Sequence, residues 1–471
     1  MIISNLLNDD TAKYIVDYIR SEKDRIDTNE KLFDIYENSI GDLLDERLLN
    51  DLGNETFNQA KYRKFPVNII KHVIDKLSKI YQQEPRREVV GGNAADEKIL
   101  AYFEDILNID HNLNINNETG NLFLNSLLQI GNDNGYPFIR TIPNHKFLVI
   151  NNSEIDPTSD DIVVLFMSPE KDALGTLVDI YWVYSDEQFA VYDGTGKVRF
   201  DLMSMLGQDG TNNVGAKPFM YYNASSNLVM PKVQSDTLDI ALLIPLLLTD
   251  VNYIAKFCAY SILYGIDVDD KNMKMSPNVF WNFKSDDESD KKPEIGSIKP
   301  EGDIEKLINS AMSQLSIWLN SKGLKSSGVG DADVRNVASG IAKLIDEADV
   351  SDIRKFQASM YRQYEQRFWD LLLKKIYPFW RDQGLVENIG DFSIGARVSV
   401  NFKEQTPMQD RSSQVASLKL EHESGFTTKR RVLMELNPQM TENEIDIMLK
   451  EIDDEETVTV AVIDRGVNVQ E

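Results

Sequence analysis

The longest regular pattern of apolar and polar positions in this sequence runs from residue 336 to Pro378. Apolar side chains recur there every three or four residues, as one face of a helix requires. They are Val337, Ile341, Leu344, Ala348, Ile353, Phe356, Met360, Tyr364, Phe368, Leu372 and Ile376, and the opposite face carries Lys343, Asp346, Glu347, Arg354, Lys355, Arg362, Glu365, Arg367 and Lys374. One such helix would be roughly 65 Å long, so it must cross several lobes or pack against copies of itself. The five-residue step from Ala348 to Ile353 predicts a kink at residues 349–352.

Two shorter helical patterns precede this helix, at residues 235–264, where Gly265 is expected to end the helix, and at residues 303–321. Between them lies an insert rich in Asp, Lys, Pro and Ser, with strands predicted at 278–284 and 295–298. This order predicts an antiparallel helix pair with a small insert at its tip. A loop of small residues, Lys325 to Asp333, then leads into the long helix.

The first half of the chain changes pattern once. Polar helices are predicted across residues 8–60, an amphipathic helix between Pro66 and Pro85, and two helices across 96–130, the second carrying Leu122, Leu124, Leu127, Leu128 and Ile130. Seven short apolar runs then alternate with turn residues: YPFIRTI, KFLVI, IVVLFM, VDIYWVY, QFAVYD, KVRFDLM and KPFMYYN. Asp193-Gly194-Thr195-Gly196 between two of them is typical of a hairpin turn. The pattern therefore predicts an antiparallel β-rich region.

The end of the chain is predicted to hold one strand and three short helices. The strand covers residues 397–402, and the helices cover 409–422, 427–436 and 441–452. Thr441 with Glu444 forms a capping-box pattern at the third helix. Residues 453–471 are interpreted as an acidic, frayed tail. The whole pattern indicates an α+β, mainly helical protein of two to four lobes.

Charge and cysteine content narrow the function classes. The formal charge is −26, which argues against tight DNA binding by the whole surface, since such binding uses Lys and Arg to displace counterions. The one cysteine, Cys258, excludes a disulfide within the chain and fits a reducing cytoplasm. The most apolar run, residues 238–248, is about half the ~20 residues needed to cross a bilayer and contains Asp239 and Pro245, so no membrane partner is expected.

No motif for catalysis or cofactor binding is evident. Gly194-Thr195-Gly196-Lys197 lacks the first glycine and the final Ser or Thr of a phosphate-binding loop. The calcium-loop start at residues 267–270 fails at Lys271, where an oxygen ligand is needed. The four histidines have no metal spacing. We therefore expect no enzyme activity, no metal and no cofactor.

Five segments in order resemble the portal (head-to-tail connector) proteins of tailed bacteriophages. The first is the helix with Pro66, Asn68, Lys71, Val73, Asp75, Tyr81 and Pro85, and the second is Gly215 to Asn223. The third is the helix from Leu238 to Gly265, with Asp250 and Asn252, and the fourth is Ser339 to Lys343 after the glycine-containing loop. The fifth is residues 400–455, with Phe402, Pro407, Leu420, Gly425, Thr427, Leu436, Glu442 and Glu451. The resemblance spans roughly residues 60–455. The order and spacing of the five segments carry it, because each motif alone is common.

The resemblance implies a portal-type architecture. The wing would be residues 1–231, helical to 130 and β-rich from 131, and the crown with the C-terminal tail would be residues 384–471. The two stem helices would be 232–264 and 303–324, with the clip at 265–302 between them. The tunnel loop would be 325–335, and the long wing helix 336–383.

The resemblance also implies a function and a set of partners. Copies of the chain would form a ring, usually of twelve, at one vertex of the capsid, through which double-stranded DNA is packaged and ejected. The partners would be the large terminase subunit, the head–tail adaptor, and the major capsid and scaffolding proteins. The protein would assemble in the host cytoplasm and reside in the virion.

Candidate site residues follow from that architecture. Ser326, Ser327, Gly328, Val329, Gly330, Asp331, Asp333 and Arg335 would form a loop that projects into the channel and moves as DNA passes. Lys306, Lys322 and Lys325 would form rings of positive charge on the stem, and Phe280 and Trp281 would contact neighbouring subunits or form the clip's small core. For each lysine an ordinary solvated side chain is an equal alternative, and for the loop the alternative is a plain helix connector.

Three other functions stay open on the sequence. The chain could be another oligomeric structural protein of a virion that has no DNA channel, a helical scaffold that binds its partners as a monomer, or a soluble enzyme of unknown class. The diameter of any central channel separates the first from a portal, the mass in solution separates the second, and turnover of a phosphate substrate would support the third.

Overall fold

The computed structural model describes most of the chain, in two compact units, Met1–Lys403 and Glu404–Glu471. The described residues are 3, 5–37, 40–81, 84–151, 161–171, 175–206, 208–224, 230–231, 235–259, 262–266, 294–298, 304–324, 347–402, 411–436, 445, 448–450 and 452. Helix accounts for 58% and strand for 19% of the structure. The predicted α+β, mainly helical class is therefore confirmed.

The first unit opens with the polar helices that the pattern predicts. They are α1 (Asp9–Ser21), α2 (Lys23–Glu37) and α3 (Ile40–Ala60). Each buries one apolar stripe, such as Ile15 and Ile19 in α1. Inside α3, Gly53 adopts a left-handed φ of 70° and bends the helix, a conformation that glycine adopts without steric cost.

The next helix, α4 (Ile69–Leu77), is shorter than the predicted one between Pro66 and Pro85. The side-chain oxygen of Asn68 accepts a hydrogen bond from the backbone N–H of Lys71 at 3.0 Å. Because this bond satisfies an N–H that has no partner within the helix, the helix begins after Asn68, and Pro66 lies outside it. The predicted apolar residues, including Ile70, Val73, Ile74 and Leu77, are buried.

Two more helices follow, α5 (Ala94–Leu107) and α6 (Ile109–Phe123). The predicted second helix extended to Ile130, and that part of the prediction is wrong. Leu124 has a left-handed φ of 61°, and the chain then enters a strand, β2 (Asn125–Asp133), which contains Leu127, Leu128 and Ile130. A short apolar run suits a buried strand as well as a helix. Pairing on both sides of β2 decides between them here.

Two antiparallel sheets form the predicted β-rich region. The first has the order β3 (Tyr136–Ile142), β2, β8 (Phe219–Asn223). The second has the order β4 (Phe147–Asn151), β5 (Asp161–Lys171), β6 (Leu177–Tyr184), β7 (Phe189–Asp193). Ile130 lies opposite Ile139 in the first sheet, and Leu165 lies opposite Trp182 in the second. Phe147, Val163 and Phe219 belong to an apolar cluster between the two sheets.

One of the seven predicted strands is a helix instead. The run Lys197 to Met203 continues into α7 (Phe200–Met205), which begins beside an ion pair between Arg199 and Asp201 at 2.6 Å. A carboxylate in the first turn of a helix is favoured by the helix dipole. The predicted turn before it is confirmed, since Asp193 Oδ1 accepts hydrogen bonds from the N–H groups of Thr195 at 2.9 Å and Lys197 at 3.1 Å.

The helix pair and its insert are present where the structure describes them. They are α8 (Ser235–Ala259), β9 (Ile262–Ile266), β10 (Glu294–Ile298) and α9 (Ile304–Ser321). The strand predicted at residues 295–298 is confirmed, and the one at 278–284 lies outside the described residues. The first helix ends before Gly265, which pairs with Ile295 in the two-stranded ribbon, so the predicted end at Gly265 is wrong.

The long helix is confirmed over its described part, residues 347–382; residues 336–346 lie outside the description. It consists of α10 (Glu347–Leu371), a π-helical turn (Leu372–Ile376) and α11 (Tyr377–Asp382). The predicted kink at residues 349–352 is wrong, because α10 runs through them as regular helix. The irregularity lies instead just before Pro378, which lacks an N–H group and displaces the carbonyl four residues earlier.

Two residues of α10 were predicted on the wrong face. Phe356 is 68% exposed, and Glu365 is fully buried. Nine residues, or about 180° around a helix, separate them, so only one can face the core. The buried face consists of Gln357, Tyr361, Tyr364, Glu365, Phe368 and Trp369, and it continues with Leu372 in the π-helical turn.

Four apolar clusters form the core of the first unit among the described residues. One surrounds α10 with residues of α5, α6 and the last strand, β11 (Arg397–Asn401); a second joins α2 and α4 to the α8–α9 pair. The third packs α1 on the four-stranded sheet, and the fourth lies between the sheets. β11 confirms the strand predicted at 397–402 and pairs antiparallel with β1 (Arg86–Val90).

A buried carboxylate holds the turn that leads into β11. Asp96 in α5 accepts hydrogen bonds from the backbone N–H of Ser393 at 2.7 Å, the hydroxyl of Ser393 at 2.8 Å, and the N–H of Asn93 at 2.8 Å. Burial favours the neutral acid, but the three donors outweigh it and hold the pKa of Asp96 below its ordinary value. The charged form therefore stabilises the fold.

We expect this turn to lose stability in acid. Because the folded-state pKa of Asp96 is lowered, its contribution is present above the ordinary pKa of about 3.9 and disappears as the pH falls through the lowered value. Asp96→Asn should lower the free energy of unfolding by about 1–3 kcal/mol at pH 7 and flatten its decline below pH ~4. Urea denaturation from pH 2 to 7, with the exposed Asp105→Asn as control, measures both effects. An equal decline in both variants would contradict the role of Asp96.

Two of the three helices predicted for the second unit have described bounds and are confirmed. They are α12 (Arg411–Glu423) and α13 (Lys429–Leu436). Residues 445, 448–450 and 452 are also helical, while Thr441, Glu444 and the tail at 453–471 lie outside the described residues. Leu418 and Ile445 are buried in this unit.

Candidate functional site

The α8–α9 pair is antiparallel, and contacts join its two halves at both ends. Near the start of α8 and the end of α9, Lys322 Nζ lies 3.3 Å from Asp236 Oδ2. At the other end, β9 and β10 pair antiparallel, with Ile262 opposite Ile298. Two helices that run in opposite directions therefore carry a β-ribbon at one tip, the arrangement that the order of elements predicts.

One face of the pair is buried within the first unit. Ala241, Ile244 and Leu248 of α8 lie in the same cluster as Ala311 and Leu315 of α9. That cluster also includes residues of α2 and α4, such as Ile35 and Val73. The pair is therefore anchored along one side to the helical part of the unit.

The exposed face of α9 is polar and carries little charge. Its exposed residues are Glu305, Lys306, Asn309, Ser310, Ser313, Ile317, Asn320 and Ser321. Hydroxyl and amide groups donate and accept hydrogen bonds without attracting or repelling phosphate strongly.

The predicted stem lysines differ in their surroundings. Lys306 is exposed on the polar face of α9. Lys322 is half-buried, forms the ion pair with Asp236, and lies 5.8 Å from the centre of the Trp318 ring. Its charge is therefore already partly compensated within the chain. Lys325 lies outside the described residues.

The loop and clip candidates also fall outside the description. These are Ser326, Ser327, Gly328, Val329, Gly330, Asp331, Asp333 and Arg335 in the loop, and Phe280 and Trp281 in the insert. Their roles stay predictions. The described residues stop at Leu324, just before the loop, and at β9 and β10, on either side of the central part of the insert.

Helix α8 is strongly apolar but only partly covered. Residues 235–255 are long and apolar enough to cross a membrane by length and composition, and only 28% of that window is buried. Leu243 and Leu246 are half-buried and belong to none of the apolar clusters formed by the described residues. They share one helix face with the exposed Asp239 and Asp250. This face is apolar at its centre and acidic at both ends.

A buried ionic cluster, which the sequence pattern did not reveal, fixes the long helix. Arg87 of β1 is only 3% exposed and donates from Nε to Glu365 of α10. Its Nη2 lies 2.5 Å from Asp110 of α6, and its Nη1 lies 3.3 Å from Glu104 of α5. Tyr81 also donates to Glu365, at 3.0 Å. One guanidinium thus joins four elements of the first unit.

Burial and charge act in opposite directions on the carboxylates of this cluster. Burial raises the pKa of the Glu365 carboxyl, while Arg87, Trp369 and Tyr81 work to lower it by stabilising the anion. Burial likewise raises the pKa of Glu104 against the effect of Arg87. The guanidinium in turn has its pKa raised by Glu365 and Asp110, against the lowering by burial. Each charge in the cluster therefore depends on its partner.

The described part of the chain shows no cluster of metal ligands. No three His, Cys, Asp or Glu side chains of those residues are grouped so that they could hold a metal ion. His145 is buried against Phe33, with ring centres 5.1 Å apart, and burial lowers its pKa to about 4. A neutral, packed imidazole of this kind is a structural residue.

The sequence was matched neither by a protein family nor by a curated protein.

Proposed function

We propose that this chain is the subunit of a bacteriophage portal: a ring at one capsid vertex whose channel passes double-stranded DNA during packaging and ejection. The observation that carries the proposal is the antiparallel α8–α9 pair with its β-ribbon at one tip. Its position in the chain, between a β-rich region and a long helix, matches the order of wing, stem, clip and long helix in the resemblance.

The surface of the pair supports a channel wall. In the proposed ring, the polar face of α9 lines the channel, and Glu305 and Lys306 contribute one charge of each sign for each subunit. A wall of Ser and Asn side chains in a chain of charge −26 gives DNA little to bind. DNA can then slide along the wall instead of stopping at each position.

The partly covered face of α8 supports contact between subunits. Leu243 and Leu246 would be buried against the adjacent copy, since a head-to-tail contact repeated around an axis closes a ring. A membrane would cover the same leucines, but Asp239 and Asp250 on that face would be costly in lipid. A protein neighbour accommodates both the leucines and the carboxylates.

The other segments take the roles that the resemblance gives them. Residues 1–231 and 336–383 form the wing, and residues 265–302 form the clip, which docks the terminase and later the head–tail adaptor. Residues 325–335 form the tunnel loop, and residues 384–471 form the crown. The proposed protein is a structural component of the virion and has no enzyme activity.

Replacing the tunnel loop tests DNA passage separately from ring formation. In this variant a short, rigid linker that contains proline replaces residues 326–333. We expect the variant to assemble into rings normally but to package DNA at least tenfold less well. The reason is that proline restricts the backbone, so the linker cannot change conformation as the duplex passes. Nuclease-protected DNA per particle is the measurement. Full packaging by that variant would favour a connector role for the loop, and an intact ring without a DNA-wide channel would favour the alternative virion protein.

A further inference from the structure

The outward face of the long helix is basic, although the chain as a whole is strongly acidic. The α10 basic face consists of Lys355, Arg362 and Arg367, which lie within about 140° of one another around the helix, and Lys374 in the π-helical turn that follows. Lys355 is 61% exposed, and both arginines are exposed. The positive charges therefore extend along more than five turns of helix on the solvent side.

The lysines on this face have carboxylate partners, whereas its two arginines have none among the described residues. Lys355 lies 3.8 Å from Asp352, and Lys374 lies 2.5 Å from Asp370. Arg362 and Arg367 form no ion pair with any residue that the structure describes. The two exposed guanidinium groups are therefore available to carboxylates that approach this face.

Helix α2 carries a complementary surface in another part of the same unit. The α2 acidic face consists of Asp27, Glu30, Asp34 and Glu37, which are exposed and spaced three, four and three residues apart. Lys31 lies among them and Lys23 lies one turn before Asp27 on the same face, so four carboxylates outnumber two amines. The opposite side of α2 is buried, including Leu32 and Ile35. The helix is thus held firmly while its acidic face is open to solvent.

We propose that the α10 basic face of one copy binds the α2 acidic face of the next copy. This inference rests on the proposed ring and specifies one of its contacts. Because the two faces are different surfaces of one chain, their contact is head-to-tail, and repetition around an axis closes a ring. Opposite charges also orient the copies as they meet and disfavour like faces in contact.

Duplex DNA is the less favoured partner for the basic face. Asp352 and Asp370 lie beside its lysines, and the remainder of the chain repels phosphate. Carboxylates from a second copy need to approach only Arg362 and Arg367, each of which can pair with a carboxylate through two parallel hydrogen bonds.

A charge exchange between the two faces tests the contact. Variant A carries Arg362→Glu and Arg367→Glu, and variant B carries Glu30→Lys and Asp34→Lys. Each variant alone brings like charges together at every contact. We therefore expect its protein concentration for half-maximal ring assembly, measured by sedimentation velocity, to be at least about tenfold higher than that of the wild type. A one-to-one mixture of A and B places opposite charges at every contact of an alternating ring. It should assemble within about threefold of the wild-type concentration.

The matched control and the contrary outcomes separate the explanations. Lys13→Glu with Lys98→Glu changes the charge equally at exposed positions on α1 and α5, and it should assemble like the wild type. A mixture no better than A or B alone would overturn the proposed contact, as would A or B assembling like the wild type. If A forms rings normally but no longer binds a 30-base-pair duplex that the wild type binds, DNA is the partner instead. A wild-type chain that never assembles counts against the portal proposal itself.

Discussion

Replacing Arg87 with methionine is expected to lower the free energy of unfolding of the first unit by about 3–5 kcal/mol. Arg87 is almost fully buried and joins Glu365, Asp110 and Glu104 across four elements. Methionine fills a similar volume but leaves Glu365 as a buried carboxylate without its cation. The remaining donors, Tyr81 and Trp369, are neutral and cannot replace the lost charge.

The neighbouring residue provides a matched control. The Arg86 side chain is 59% exposed and pairs with Glu88 on the surface, at 2.5 Å. Arg86→Met should change the free energy of unfolding by less than about 1 kcal/mol, because exposed ion pairs contribute little. Urea denaturation of both variants at pH 7 measures the difference. Equal losses in the two variants would show that the buried cluster does not hold the long helix in place.

A second large effect is expected on assembly. Leu243→Glu together with Leu246→Glu should raise the protein concentration for half-maximal ring assembly at least a hundredfold, because a carboxylate buried at an apolar contact without a partner costs several kcal/mol. The fold of the chain should survive, since neither leucine belongs to an apolar cluster of the described residues. Circular dichroism checks the fold, and sedimentation velocity measures assembly.

Two exposed apolar residues elsewhere in the first unit control for the added charge. Ile317 in α9 is 70% exposed and Leu177 in β6 is 65% exposed, and both lie outside the proposed contact. Ile317→Glu with Leu177→Glu should assemble like the wild type. If the Leu243 and Leu246 variant also assembles normally, the α8 face is not a subunit contact and the arrangement of the proposed stem is wrong.

Helical periodicity predicted where the main helices lie, but not every residue that they bury. Tyr364, Phe368 and Leu372 recur at the expected spacing and are buried, so α10 was found from its own sequence. Glu365 was placed on the charged face because carboxylates are rarely buried. Its burial depends on Arg87, 278 residues earlier in the chain. No pattern within a single helix reports a partner at that distance.

Strand β2 shows a similar limit. Leu127, Leu128 and Ile130 form a short apolar run, and the sequence alone does not distinguish a buried strand from the end of a helix. Pairing with β3 and β8, one of which lies about 90 residues away, decides the conformation. Local signals succeeded where the deciding contact was also local, as at the turn from Asp193 to Lys197.

The candidate site was predictable to the level of its elements. The order of helix, insert and helix predicted the antiparallel pair, and the ribbon of β9 and β10 lies at its tip as expected. The partner of Lys322 was not predictable, because Asp236 lies 86 residues away (322 minus 236) on the other helix. The sequence also did not show that one face of α9 is exposed and one face of α8 is only partly covered. Both depend on contacts with residues far away in the chain.

Electron microscopy of the purified protein viewed along its symmetry axis tests the central claim most directly. The portal proposal predicts closed rings of identical subunits, usually twelve, around a channel wide enough for a DNA duplex to pass. The α8–α9 pairs should form the wall of that channel. Solid globular particles, or rings whose narrowest fixed diameter excludes duplex DNA, would contradict it.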